Sequence, residues 1–337
     1  MTRPLRVLTW HVHGSYLYYL AQVPHVLVLP VREGRPEGYG GRGGHVAWPA
    51  TVEEVPAEEV RDLDDLDLVL TQSRRNREVD APALLSDAQR RDLPRVHLEH
   101  DPPQGWPNDA LHPVQDPDTL LVHVTPFNEL MWDAGVTPTA VVQHGVVVPD
   151  DAVWTGERDR AVTVVNNLGR RGRRLGPDVF RRLAAEAPVD LAGMAADEFA
   201  GVAAEVLGDV PLADLHRRIA AYRCFVNPIR YTSMGLAVCE AMAVGLPVLG
   251  LATTEMAAAV RNGVDGYVDT DVAVLAGHLR RLLADRDEAA ALSAGARERA
   301  RERFGIDRFV REWDALLRGV AAGGPAAAAP ALSGGVA

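Results

Sequence analysis

At 337 residues the chain exceeds one ordinary hydrophobic core, and since domains run to roughly 100–200 residues the length predicts two. With 47% hydrophobic and 24% charged residues the composition is globular, which excludes disordered and fibrous classes. A formal net charge of −11 argues against nucleic acid or an anionic lipid surface as partner, because a polyanion is repelled by a net-acidic surface, while local basic clusters still attract small anions.

The opening Met1-Thr2-Arg3-Pro4-Leu5-Arg6 runs straight into an apolar strand with no signal-peptide pattern. No apolar stretch reaches the ~18 residues of a membrane span. Cys224 and Cys239, both in apolar surroundings, read as packing residues and are too few for a disulfide framework, which fits a reducing compartment. A cytoplasmic protein is expected.

Short β-branched runs alternate with helical patterns from end to end. Residues 6–10, 25–29, 67–71, 95–99, 120–124 and 140–143 read as strands of a first parallel sheet, and 161–165, 189–192, 224–227 and 247–250 as strands of a second. Val148-Pro149-Asp150-Asp151 is a polar turn after an apolar run, so it marks the link between them. Residues 306–320 form an amphipathic segment, and 321–337 an Ala/Gly/Pro tail too small-sided to pack. No repeat of 20–50 residues is present. Ligands of open parallel sheets bind at the carboxyl ends of the strands, so the site is sought there.

The first such end is Trp10-His11-Val12-His13-Gly14-Ser15, where Gly14 either permits close backbone approach to a ligand or simply starts a helix. Gly38-Tyr39-Gly40-Gly41-Arg42-Gly43 satisfies G-x-G-x-x-G, but His45-Val46-Ala47-Trp48-Pro49 follows and cannot begin the required helix, so a mobile loop is expected instead. Next, Val96-His97-Leu98-Glu99-His100-Asp101-Pro102-Pro103 closes a strand. A metal site drawing on His11, His13, His97, His100 and Asp101 is the rival use of these imidazoles. It is disfavoured because odd spacing on a strand sends His97 and His100 to opposite faces.

In the second half, Asn166-Asn167-Leu168-Gly169-Arg170-Arg171-Gly172-Arg173-Arg174-Leu175-Gly176 places four arginines between a strand and a helix beginning near Pro177. Such a run is commonly a solvated patch. At a strand end in an acidic protein it is also a place where a bound anion would find charge compensation. The run Asn227-Pro228-Ile229-Arg230-Tyr231-Thr232-Ser233-Met234-Gly235 leads into Leu236, Glu240 and Gly245-Leu246-Pro247. A helix opened by Ser233, Met234 and Gly235 offers free N–H groups and a positive dipole end to a diphosphate. Glu240, about one and a half turns on, is placed to accept ribose hydroxyls. Its bland reading is a solvated helix residue, but Cys239, Ala241 and Met242 around it are apolar.

This last run resembles the donor-binding signature of the family four retaining glycosyltransferases, the glycosyl transferases group 1. The resemblance spans roughly residues 5–318 and implies the GT-B fold, α/β with two Rossmann-like doubly wound domains facing a cleft. Residues 1–148 would be the acceptor-side domain, 149–305 the donor domain, and 306–320 a helix returning to the first. By the same resemblance, Arg171 and Arg174 are the cations for the donor pyrophosphate, and His100 with Asp101 lines the reacting sugar as the catalytic pair. Gly14, Thr232, Ser233, Met234, Gly235, Leu236, Glu240 and Glu255 complete donor binding. Two positions depart from the pattern: Thr232 stands where the family has an acidic residue eight before Glu240, and Thr254-Glu255 replaces a Gly-Gly loop.

The implied reaction is sugar transfer from a nucleotide diphosphate sugar to an acceptor that is a glycan, lipid or small molecule, with retention, without metal and without other cofactor. The alternatives are an inactive nucleotide-binding relative, motivated by the two departures, or an epimerase or phosphorylase on the same fold.

Overall fold

The structure, a computed structural model, describes residues 3–12, 14–43 and 46–325. The chain divides into two compact units, Met1–Gly145 with Ile306–Ala337, and Val146–Gly305.

The first unit holds β1 (Arg6–Leu8), β2 (Val26–Val31), β3 (Val52–Pro56), β4 (Leu68–Thr71), β5 (Arg95–Glu99), β6 (Thr119–His123) and β7 (Thr139–Val141). All are parallel, in the order β3-β2-β1-β4-β5-β6-β7. The second unit holds β8 (Arg158–Val164), β9 (Val189–Ala192), β10 (Val206–Gly208), β11 (Tyr222–Asn227), β12 (Val248–Leu251) and β13 (Gly266–Asp269), parallel in the order β10-β9-β8-β11-β12-β13. Both sheets therefore run third-second-first-fourth outward from one edge, the doubly wound order. Central strands such as β4, β9, β11 and β12 are buried along their whole length, as strands covered on both faces are, even where they carry Asp190 and Arg223.

Three strands escape the sequence reading, and all three are sheet edges: β3, β10 and β13. An edge strand is half covered, so it lacks the apolar run. β3 carries Glu53-Glu54, and β13 begins at a glycine inside what reads as a turn.

The boundary between units falls at Gly145/Val146, three residues before the expected link, because the Val146 amide already donates to Phe304 in the second unit. Helix Ile306–Gly323 belongs to the first unit and packs on helix Gly14–Leu20. It buries Phe309, Trp313, Leu316, Leu317 and Val320, one stripe at helical spacing, and runs past the expected end at 320. Residues 326–337 of the expected tail lie outside the described residues. Among the described residues, no helix is long and apolar enough to cross a membrane.

Candidate functional site

In a doubly wound sheet the connections of the first and fourth strands leave to opposite faces, which opens a crevice at their carboxyl ends. In the second unit these strands are β8 and β11, and their loops are the arginine-rich and the Pro228 segments.

The two loops are stitched together. The backbone amides of Arg230 and Tyr231 donate to the Arg174 carbonyl at 2.9 and 3.2 Å, and Arg174 Nε donates to the Tyr231 carbonyl at 3.2 Å. Gly176 sits where the loops touch, at φ +74°, and a Cβ there would lie 1.9 Å from the Pro228 carbonyl oxygen. Arg230 closes the contact with a two-pronged pair on Asp178 at 2.6 and 2.5 Å, whose hydrogen bonds hold the Asp178 carboxyl down to about 2. Arg173 also reaches Asp178, at 3.1 Å. Of the two arginines expected to meet a diphosphate, Arg174 is half-buried and built into the loop contact. Arg171 is exposed, with no ion pair among the described residues.

The helix after β11 is Leu236–Val244. It starts later than Ser233: Gly235 is its extended N-cap at φ −68° and ψ 131°, while Ser233 and Met234 are buried in the approach loop. No side chain caps this end, the first turn at Gly235, Leu236 and Ala237 is half-exposed, and a Cβ at Gly235 would meet open space. The leading N–H groups therefore remain available to an anion. Thr232 is half-buried beside them.

Glu240 is 3% exposed, so it is no solvated helix residue. His216, equally buried on helix Leu212–Ile219, brings Nε2 to 3.6 Å from Glu240 Oε2. Glu255 is buried too, and its carboxylate is paired with Arg303 of helix Arg286–Phe304. A sugar contact there would share a carboxylate already tied to a cation. Thr254, in the replaced Gly-Gly loop, keeps the left-handed backbone a glycine takes, at φ 53°.

In the first unit the corresponding crevice lies between β1 and β4. Gln72, directly after β4, spans it: Nε2 donates to Thr9 Oγ1 at 3.0 Å and to the Trp10 carbonyl at 2.9 Å. His100, directly after β5, brings Nε2 to 3.3 Å from Gln72 Oε1, with Tyr16 edge-on at 4.8 Å. Asp101 turns back on the strand: its amide donates to Glu99 Oε1 at 2.8 Å and its carbonyl accepts from Trp132 Nε1 at 2.9 Å. Gly14 opens helix Gly14–Leu20. The glycine-rich segment at 38–43 opens no helix, and Glu54 ties it down by pairing with Arg35 and accepting from the Arg42 amide.

His97 and His100 do part company as strand alternation requires. Among the described residues the fold groups His97 with Glu99 and His112, their potential ligand atoms within 4.8 Å of one another, while His11 bonds the Gly41 carbonyl and His13 lies outside the described residues. The group is hydrogen-bonded throughout. His112 gives Nε2 to Glu99 at 3.1 Å and takes the Val114 amide on Nδ1 at 3.0 Å, and His97 Nδ1 meets Thr71 Oγ1 at 2.7 Å. Burial, then His112, pushes both His97 and the neighbouring His123 down to about 3.

The sequence reading missed Gln72, Tyr231 and His216. Gln72 had a signal, a polar residue closing the apolar run of β4; the other two touch the site through packing that no local pattern announces.

Residues 178–285 match the family model of the glycosyl transferases group 1. The chain aligns over 94% of its length with 98% of sucrose-phosphate synthase from Thermosynechococcus elongatus, at 17% identity and a TM-score of 0.67. It aligns over 92% with 98% of Anabaena HepE in complex with UDP (14%, 0.64), and over 96% with all of a glycosyltransferase from Rickettsia africae (11%, 0.67). The fold is GT-B. No curated protein sequence matches the chain. Within this GT-B chain, the matched stretch runs from the helix behind the arginine loop, through β11 and the Pro228 loop, to β13 and the helix that follows it.

Proposed function

We propose that the protein is a glycosyltransferase that uses a nucleotide diphosphate sugar. One observation carries the reading: at the β8/β11 crevice, two loops locked together by Arg174, Tyr231 and Gly176 set a cationic segment beside an uncapped helix start, with a buried carboxylate on the same helix. The diphosphate lies on Arg171, Arg174 and the amides at Gly235 and Leu236, and Glu240 takes the ribose. The UDP held by HepE and the group 1 domain support a nucleotide-sugar donor. These cations and the amide dipoles would stabilise the leaving diphosphate without a metal. Retention of configuration, and the parts of His100 and Asp101 at the transferred sugar, follow from the family resemblance.

The test is a thermal-shift screen of nucleotide diphosphates and their sugar conjugates, since a ligand that binds only the native state raises the melting temperature. Glu240→Gln is expected to weaken the best nucleotide by about 1–3 kcal/mol, the cost of a lost charge-assisted hydrogen bond. An unchanged dissociation constant removes Glu240 from the site. Transfer should continue in excess chelator, and a strict need for Mg²⁺ or Mn²⁺ would refute the cation-and-dipole account.

A further inference from the structure

We propose that Gln72 is a positioning residue for His100, fixing its imidazole as the Nε2–H tautomer so that Nδ1 carries the lone pair. The inference rests on the reading of His100 as a transfer-site residue, but its geometry stands apart from that reading.

The orientation of the Gln72 amide is settled by its partners. A backbone carbonyl can only accept, so the atom 2.9 Å from the Trp10 carbonyl is the NH₂ group, and Thr9 Oγ1 at 3.0 Å takes its second proton. Oε1 is left as the atom facing His100. It can only accept as well, so the His100 nitrogen 3.3 Å away carries hydrogen. In the neutral ring the other nitrogen is then the acceptor. Gln72 is 3% exposed and its own backbone is held, the amide donating to Asn76 Oδ1 at 3.3 Å. Asn76 opens a π-helical turn, Asn76–Asp80, whose Asp80 accepts from Asn76 at 3.1 Å and from Tyr39 at 2.8 Å. Tyr16 meets the imidazole edge to face at 89°, limiting its tilt.

The chemical consequence concerns sugar hydroxyls. A histidine held as Nε2–H has at Nδ1 a nitrogen that can accept a proton or hydrogen bond but cannot donate one. The β1/β4 crevice thus sets the direction of proton flow at a residue carried by β5.

The experiment is ¹⁵N NMR of the histidine ring nitrogens in wild type, Gln72→Leu and Gln72→Glu, with His100→Gln to assign the His100 signals. Wild type is expected to show one tautomer, Nε2–H. Gln72→Leu should show a mixture, and Gln72→Glu, which keeps an acceptor oxygen, should restore Nε2–H. Wild-type His100 as Nδ1–H, or a tautomer unmoved by Gln72→Leu, overturns the proposal, and the wild-type spectrum alone decides if the leucine variant does not fold. In a transfer assay Gln72→Leu should lower kcat at least about tenfold at constant donor KM, a fraction of the ~10²–10⁴ that a positioned acid–base group supplies. A wild type without transfer activity would count against the proposed function and leave the tautomer result to decide this one.

Discussion

In the function proposed above, donor choice turns on Thr232. It lies half-buried next to Ser233 and Met234, at the approach to the uncapped helix, where the resembling family carries an acid. A hydroxyl there gives up charge-assisted bonds to sugar hydroxyls, each worth roughly 1.5–3 kcal/mol, and also spares the neighbouring diphosphate a repulsive charge. Glu255 does not replace it freely, since Arg303 holds that carboxylate. Calorimetry should therefore find nucleotide sugars binding only slightly better than bare nucleotide diphosphates, with Thr232→Glu widening the gap by about 1.5–3 kcal/mol for the preferred sugar. A wild-type preference of tenfold or more that survives Thr232→Ala would put the sugar elsewhere.

Among elements, the contact between the β8 and β11 loops is what holds the proposed donor site together. Gly176 is its tightest point, and an alanine Cβ there would overlap the Pro228 carbonyl besides straining a left-handed backbone. Gly201 is the natural control: its φ is +80°, but a Cβ would meet nothing within 4 Å. Gly201→Ala should cost about 1–2 kcal/mol, the left-handed penalty alone. Gly176→Ala should cost more, and it alone should also weaken nucleotide binding. Equal losses, with affinity intact in both, would show that the loop contact is irrelevant to the site. This element scale is also where the sequence was most legible. β5 and β9 were read to the residue although neither is apolar throughout, β5 running Arg95-Val96-His97-Leu98-Glu99 and β9 carrying Asp190. The helix at Leu236 was read a turn early: the run from Ser233 looks continuous, and only backbone geometry reveals that Gly235 is extended. The arginines were legible as a cluster but not as individuals, since whether one is exposed, like Arg171, or stitched to Tyr231, like Arg174, depends on a loop 57 residues away.

At the scale of the molecule, the two units repeat one strand order but differ in their buried ionisable groups, and this predicts unequal responses to acid. His97 and His123 of the first unit are held near 3, chiefly by burial, against about 6.5 in an unfolded chain. His25, in the same unit, is also lowered, first by burial. A histidine with a depressed folded pKa binds its proton more readily when unfolded, so stability is complete above about 6.5 and is lost as pH falls from there toward 3. At pH 5 each of His97 and His123 costs about 2 kcal/mol, at 1.36 kcal/mol for each pH unit below 6.5. The second unit has a smaller liability of this kind: His278 is lowered while partly exposed. Tryptophan fluorescence separates the two, because Trp10, Trp48, Trp106, Trp132 and Trp313 lie in the first unit and Trp154 alone in the second. Between pH 7 and 5 the fluorescence-detected melting transition should move down well ahead of any transition in the second unit, and His123→Phe, which cannot titrate, should flatten its pH dependence. If His123→Phe shows the wild-type slope, the buried histidine is not the acid-sensitive element, and the carboxylates of the first unit take its place as the cause.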